Sequence, residues 1–83
     1  MRTDFESVLF AIEEIEINGV TVEKESIILV TDDWFDEMSG HAFVTIRVFS
    51  KNPCGWHNNY RTIHTQSENI ADEINQLHLE VIA

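Results

Sequence analysis

The stretch DDWFDEMSGH, residues 32–41, contains four carboxylates, two aromatic rings and a histidine. Carboxylate and imidazole groups at this density can bind a metal ion or transfer protons. The spacing lacks the alternating acids and the glycine of a calcium loop. A magnesium site of this kind also needs substrate phosphate, which a chain of net charge −10 repels. We therefore predict no metal, no cofactor and no catalytic residue, and we interpret the stretch as a contact surface.

A second group of reactive side chains surrounds Cys54, the single cysteine of the chain. Cys54 and His57 have the spacing of half a zinc site, which His41 and His64 would need to complete. His57 can also activate a thiolate nucleophile. The sequence contains no phosphate-binding glycine loop and none of the common hydrolase motifs. We favour an ordinary loop cysteine in a reducing, cytoplasmic environment, because one cysteine cannot form an internal disulfide.

The charge of the chain is unevenly distributed. Residues 3–37 contain eleven of the fifteen acidic residues and one basic residue, whereas residues 38–67 contain three basic residues and no acid. A net charge of −10 repels nucleic acid and anionic membranes and attracts a basic surface. The distribution therefore predicts an acidic surface whose carboxylates take the places of nucleic-acid phosphates on a basic partner. The alternative is that the acidity only keeps the chain in solution.

A tight complex also needs anchors that become buried on binding, for which Trp, Tyr and Phe are typical. Trp34 and Phe35 are the candidate anchors, unless one of them packs into the core. The predicted partner-binding residues are Asp4, Glu6, Glu13, Glu14, Glu16, Asp32, Asp33, Trp34, Phe35, Asp36 and Glu37. The leading hypothesis is a cytoplasmic, monomeric or homodimeric inhibitor of a nuclease, a CRISPR effector or another nucleic-acid-binding protein. Phage anti-CRISPR and anti-restriction proteins and nuclease immunity proteins are examples of this class.

Local patterns predict how the N-terminal half folds. With 83 residues, the whole chain is expected to form one α+β domain. A capping-box pattern, Thr-Asp-Phe-Glu, precedes apolar residues at helical intervals, which predicts a helix over residues 3–13. Asn18-Gly19 between two alternating segments predicts a type I′ hairpin over residues 14–23. The alternative is that the glycine ends a longer first helix.

Two further patterns complete the predicted fold. Ser67 can cap a final helix, in which apolar residues from Ile70 to Val81 form one stripe. The expected architecture is an antiparallel sheet of three to five strands with the N-terminal and C-terminal helices on one face and the other face free. Arg47 or Arg61 is expected to pair with a glutamate of the hairpin region. Strands are predicted over residues 26–31, 41–50 and 60–65, a loop or single helical turn over 32–39, and a loop over 51–59.

Residues 39–46, SGHAFVTI, resemble the ribonucleoprotein octapeptide of RNA-recognition motifs. The resemblance implies that Phe43 stacks on bases from an open sheet face, with Arg47 and Phe49 beside it. It defines the alternative function, an RNA- or single-strand-binding module. The family places a helix between its first two strands, where this chain has the predicted hairpin, and the net charge argues against direct nucleic-acid binding. Three positions depart from the family pattern: Ser39, His41 and Ile46.

Overall fold

The computed structural model describes residues 7–52, 55–56 and 60–82. Within these residues the chain forms one helix and nine strands, most of which belong to one sheet. The strands are β1 (Val8–Ala11), β2 (Ile15–Ile17), β3 (Val20–Val22), β4 (Ile27–Asp36), β5 (His41–Phe49), β6 (Lys51–Asn52), β7 (Gly55–Trp56), β8 (Arg61–Gln66) and β9 (Leu79–Val81), and the helix is α1 (Ser67–Asn75).

The main sheet has the strand order β8-β5-β4-β1-β9, and each neighbouring pair is antiparallel. This confirms the predicted α+β class with an antiparallel sheet of up to five strands. Helix α1 and the β2–β3 hairpin cover one face of the sheet, where the core forms. The buried core consists of Leu9, Ala11, Ile15, Ile17, Val22, Ile28, Ile46, Val48, Ile63, Ile70 and Leu79.

The predicted N-terminal helix is wrong in its described part, because residues 8–11 form strand β1 between β4 and β9. Leu9 and Ala11 face the core, while Val8 and Phe10 are half-buried on the opposite face. A short run that is apolar on both faces matches a helical stripe as well as a strand, so periodicity alone could not separate them. The predicted capping box, residues 3–6, lies outside the described residues.

The predicted Asn-Gly hairpin is confirmed as β2–β3. Asn18 and Gly19 have φ of 53° and 83°, the two positive angles that a type I′ turn requires. The Nδ2 of Asn18 also donates to the His64 carbonyl at 3.0 Å, which fastens the hairpin to β8. The rival interpretation, in which Gly19 ends a helix, is wrong. The side chains that the hairpin turns toward the core are Ile15, Ile17, Val20 and Val22.

The C-terminal helix is confirmed, but it ends at Asn75 and does not continue to residue 81. The N–H of Leu77 donates to the Ile74 carbonyl at 3.0 Å, and the N–H of His78 donates to the Glu73 carbonyl at 2.9 Å. This pair of bonds is a Schellman ending, which usually has glycine where this chain has Leu77. The chain then enters β9, which pairs with β1.

The remaining boundaries differ from the predictions at three points. The segment over 51–59 that was predicted as a loop contains two short strands, β6 and β7, which pair with each other. Strand β4 continues to Asp36, through the segment that was predicted as a loop or helical turn. At the start of α1, Gln66 occupies the capping position and makes no capping bond through its side chain, so the predicted cap by Ser67 is wrong. The predicted strands over 26–31, 41–50 and 60–65 are confirmed as β4, β5 and β8.

A candidate protein-binding arm

A β-bulge sets the orientation of the side chains in the second half of β4. Val30 pairs with Ile46 and Asp32 pairs with Thr45, so Thr31 is one extra residue in β4. The alternation of side chains therefore reverses after Val30. Asp32, Trp34 and Asp36 then lie on the open face of the sheet, and Asp33 and Phe35 lie on the α1 face.

The extension of β4 forms an arm with the start of β5, because the register of β4 with β1 ends at Leu29. Strand β8 still pairs with β5 as far as Phe43, so only the outer part of the arm, residues 35–42, is a two-stranded hairpin. Asp36 organises its turn: its Oδ1 accepts the N–H of Met38 at 3.2 Å, and its carbonyl accepts the N–H of Gly40 at 2.8 Å. Gly40 has φ of +76°, a conformation that favours glycine. We call residues 32–42 the acidic arm.

Trp34 lies on the open face of the acidic arm and is supported from one side. Its indole is stacked on Phe43, with ring centroids 5.7 Å apart and planes 13° from parallel. His64 contacts it at a steep angle, with centroids 6.1 Å apart, and the His64 Nδ1 is 2.9 Å from the Thr45 hydroxyl. The Trp34 side chain remains 42% exposed. It is therefore held in one orientation while much of its surface is available.

Phe35 and Met38 add apolar surface on other sides of the arm. Phe35 is 61% exposed, on the α1 face, and Met38 at the tip is 95% exposed. Phe35 borders an open groove of about 450 Å³ between the arm and the start of α1, near Ser67. Neither Trp34 nor Phe35 belongs to the core, so the alternative in which one of them packs into the core is wrong. Met38 was missed by sequence reasoning, because a Met-Ser-Gly turn gives no signal of function.

The four acids of the arm take no part in the ion pairs found among residues 7–52 and 60–82. Two of the described basic residues pair elsewhere: Arg61 Nη2 lies 2.8 Å from Glu23 Oε1, and Lys51 Nζ lies 3.3 Å from Glu25 Oε1. This confirms the expectation that Arg61 or Arg47 pairs with a glutamate near the hairpin. Among the described residues of the arm, the acidic charge outside these ion pairs comes from Asp32, Asp33, Asp36 and Glu37.

The Glu23 carboxylate is held by more than its ion pair. The Ser50 hydroxyl donates to Glu23 Oε1 at 2.8 Å, and Arg61 Nη2 also contacts the Ser50 hydroxyl at 3.0 Å. The Ser50 bond and then the backbone N–H of Glu23 itself lower the pKa of Glu23 below its ordinary value of 4.5. Burial opposes them, and the charge and hydrogen bond of Arg61 add weaker lowering effects.

The other predicted contact residues are not gathered at the arm. Glu13 and Glu14 lie in the turn after β1, and Glu16 lies on the exposed side of β2. Because β1 runs antiparallel to β4, that turn is at the end of the sheet opposite the arm. The structure thus divides the predicted surface into two groups. Asp4 and Glu6 lie outside the described residues.

No group of three or more His, Cys, Asp or Glu side chains within the described ranges is arranged to hold a metal ion. Cys54 and His57, which have the spacing of half a zinc site, lie outside those ranges. No helix in the part of the chain that the structure describes is long and apolar enough to cross a membrane.

The residues of the alternative function share the open face of the sheet. Phe43, Arg47 and Phe49 alternate with core residues along β5. The Arg47 guanidinium lies 4.7 Å from the centre of the Tyr60 ring, which in turn contacts Phe49 with centroids 5.2 Å apart. Phe43 is already stacked on Trp34. The face therefore offers aromatic surface in which several rings already contact one another.

Comparison with known proteins returned no match: no protein-family model, no curated protein and no solved structure matches this chain.

Proposed function

We propose that this chain is an acidic binding protein whose arm docks on a basic, nucleic-acid-handling protein and inhibits it. One observation carries the proposal. A single short hairpin contains four acids without a described cationic partner and two exposed aromatic side chains. Acidic residues alone raise the association rate in a salt-sensitive way. Exposed aromatic side chains provide apolar surface whose burial slows dissociation of the complex.

The geometry of the arm supports a role in rigid docking. Stacking on Phe43 fixes the Trp34 indole before any partner arrives, so little side-chain entropy is lost on binding. The Asp36 bonds to Met38 and Gly40 fix the turn in the same way. A partner groove that accepts nucleic acid would place Lys and Arg side chains against the arm carboxylates.

Binding to purified basic nucleases and CRISPR effectors tests the proposal. Affinity is measured by biolayer interferometry at low and moderate salt, with and without the partner's nucleic acid. We expect at least one partner whose affinity falls about tenfold or more as salt rises, and whose nucleic acid competes with the chain. A complex that is indifferent to salt and coexists with bound nucleic acid would contradict the proposal.

The second candidate function is binding of single-stranded RNA by the open sheet face. It is favoured by one observation, the common face of Phe43, Arg47 and Phe49. Bases would stack on the rings and the Arg47 guanidinium would contact phosphate. Gel shifts with labelled single-stranded RNA at low salt, comparing the native chain with Arg47→Ala, separate the two candidates. Absence of any shift for the native chain removes this one.

A further inference from the structure

Strand β9 forms one edge of the main sheet, and no strand among the described residues pairs with its outer side. The carbonyl of His78 and the N–H of Ile82 bond to β1 and its flanking residues. In an antiparallel strand, the backbone N–H and carbonyl groups of successive residues point to opposite sides. The groups of His78 and Ile82 point toward β1, so those of Leu79 and Val81 point away from it. They are two residues apart, roughly 6.8 Å, which matches the hydrogen-bonding repeat of another strand.

The opposite edge of the sheet, β8, is occupied in part by the chain itself. Asn18 donates its side-chain N–H to the His64 carbonyl at 3.0 Å, and Arg61 Nη1 donates to the Thr21 carbonyl at 2.6 Å. The β2–β3 hairpin thereby contacts that edge at one backbone carbonyl and one side chain, and such contacts hinder the pairing of another strand. The β9 edge has no equivalent cover among residues 7–52 and 60–82.

An apolar groove of about 610 Å³ runs beside the β9 edge. Such a groove accepts one or two apolar side chains of a bound segment. Its wall includes Leu77, which is 74% exposed, and Val81, which is also exposed. The groove is lined by Ile12, Ile74, Leu77, Leu79, Glu80 and Val81.

Leu77 is locally unfavourable in two ways. Its φ is 66°, in the left-handed region where glycine is the usual residue at a helix end. Its apolar side chain is mostly in water. Both the backbone conformation and the exposed side chain of Leu77 cost free energy in the free protein. Such residues are typical of binding surfaces, where contact with a ligand offsets the cost.

The charge around the groove identifies the kind of segment that fits it. Strands β1 and β9 and helix α1 contain no Lys or Arg. Glu80 lies in the groove wall, and Glu13 follows Ile12 directly in the sequence. A second copy of this chain would bring acids against acids at this edge, whereas Lys and Arg side chains would be attracted to it.

We infer that the β9 edge binds an extended segment, in which basic and apolar residues alternate, as an added strand of the sheet. The backbone of the segment bonds to Leu79 and Val81, and an apolar side chain enters the groove against Leu77. The segment belongs to the basic partner of the proposed function, on which this inference rests for the partner's identity. Because the arm lies at the opposite end of the sheet, the two contacts are separable.

The test uses the full chain and a labelled, acetylated peptide in which Lys and Val alternate, with binding followed by fluorescence anisotropy. Val81→Pro removes an outward N–H without removing a bond to β1, and Val81→Ala is its matched control. We expect Val81→Pro to weaken peptide binding about tenfold and Val81→Ala to weaken it less. Replacing Lys by Glu in the peptide, or methylating alternate backbone nitrogens, is expected to abolish binding.

Leu77→Gly separates binding from stability. Glycine relieves the left-handed backbone, so thermal denaturation should shift upward by about 4 °C, while peptide binding weakens severalfold. Equal peptide affinity for the native chain and Val81→Pro overturns the inference. So does a native dimer that becomes monomeric in Val81→Pro, because the occupant is then a second copy. If Trp34→Ala loses peptide binding while Val81→Pro binds the peptide as the native chain does, the peptide binds at the arm, and the inference for the β9 edge is overturned.

Discussion

The indole of Trp34 lies nearly parallel to the ring of its cross-strand neighbour Phe43, with 5.7 Å between ring centroids. The pair sits on the open face of the arm, on the side away from α1. Phe43 thus fixes the orientation of the Trp34 indole, and Trp34 is more exposed than Phe43. This relationship makes Trp34 the first residue to change.

Trp34→Ala is expected to weaken binding to a basic partner about tenfold or more, because it removes the largest exposed ring of the arm. Phe43→Leu is the control: it removes the stacking support but keeps the indole, and should cost less. Binding is measured by biolayer interferometry, with far-ultraviolet circular dichroism to verify the fold. If both variants bind as the native chain does, the arm is not the contact.

Charge reversal in the arm is expected to act on association. Asp33→Lys with Glu37→Lys should lower the association rate about tenfold at low salt, and the difference should shrink at high salt. The matched control is Glu16→Lys with Asp72→Lys, which changes the net charge equally on β2 and α1. Equal effects of the two double variants would mean that net charge matters and the position of the arm acids does not.

Ser26 is fully buried and its hydroxyl has no hydrogen-bond partner among the described residues. Ser26→Ala should therefore raise the free energy of unfolding, by about 1 kcal/mol, because an unsatisfied buried hydroxyl is removed. Thr65→Val is the matched control. Thr65 is also buried, but it accepts a bond from Asn69 Nδ2 at 2.8 Å, so its replacement should destabilise the fold. Urea unfolding measures both, and destabilisation by Ser26→Ala would contradict the assignment.

The lowered pKa of Glu23 predicts how stability changes with pH. The folded state favours the charged carboxylate, so its contribution is present above the ordinary value of 4.5 and is lost as the pH falls through the lower folded-state value. Glu23→Gln should therefore destabilise the chain at pH 6, with the difference from the native chain shrinking below pH 4.5. Urea unfolding across this range measures it. A difference that is constant with pH would show that the charge of Glu23 contributes nothing.

The parts of the fold that were predicted correctly are those whose structure is determined by residues close together in the sequence. Asn18-Gly19 has the backbone preference of one turn type, and β5 alternates over its whole length. The errors concern elements whose state depends on distant neighbours. β1 became a strand because β4 and β9 flank it, and α1 ends before Leu77 although no glycine marks the end. No local pattern contains that information.

The residues of the candidate site were proposed from the sequence, whereas their arrangement in space was not predicted. The acids and aromatic side chains of residues 32–37 were identified from the sequence, and a loop or single helical turn was expected there. Asp and Glu have low β-propensity. Pairing with β5 overrides that preference and holds the segment extended. Glu13, Glu14 and Glu16 were grouped with it by proximity in sequence, while the antiparallel register separates them in space.

Because Thr31 is an extra residue, the side chains of the arm alternate between the two faces of the sheet in the opposite order to those before the bulge. The alternation that buries Ile28 and pairs Val30 with Ile46 ends at the bulge, and a new alternation begins with Asp32. None of the described buried core residues lies in the arm. Without the extra residue, the alternation that begins at Ile28 would place Trp34 on the α1 face and Phe35 on the open face, so one inserted residue determines which ring each face of the sheet presents.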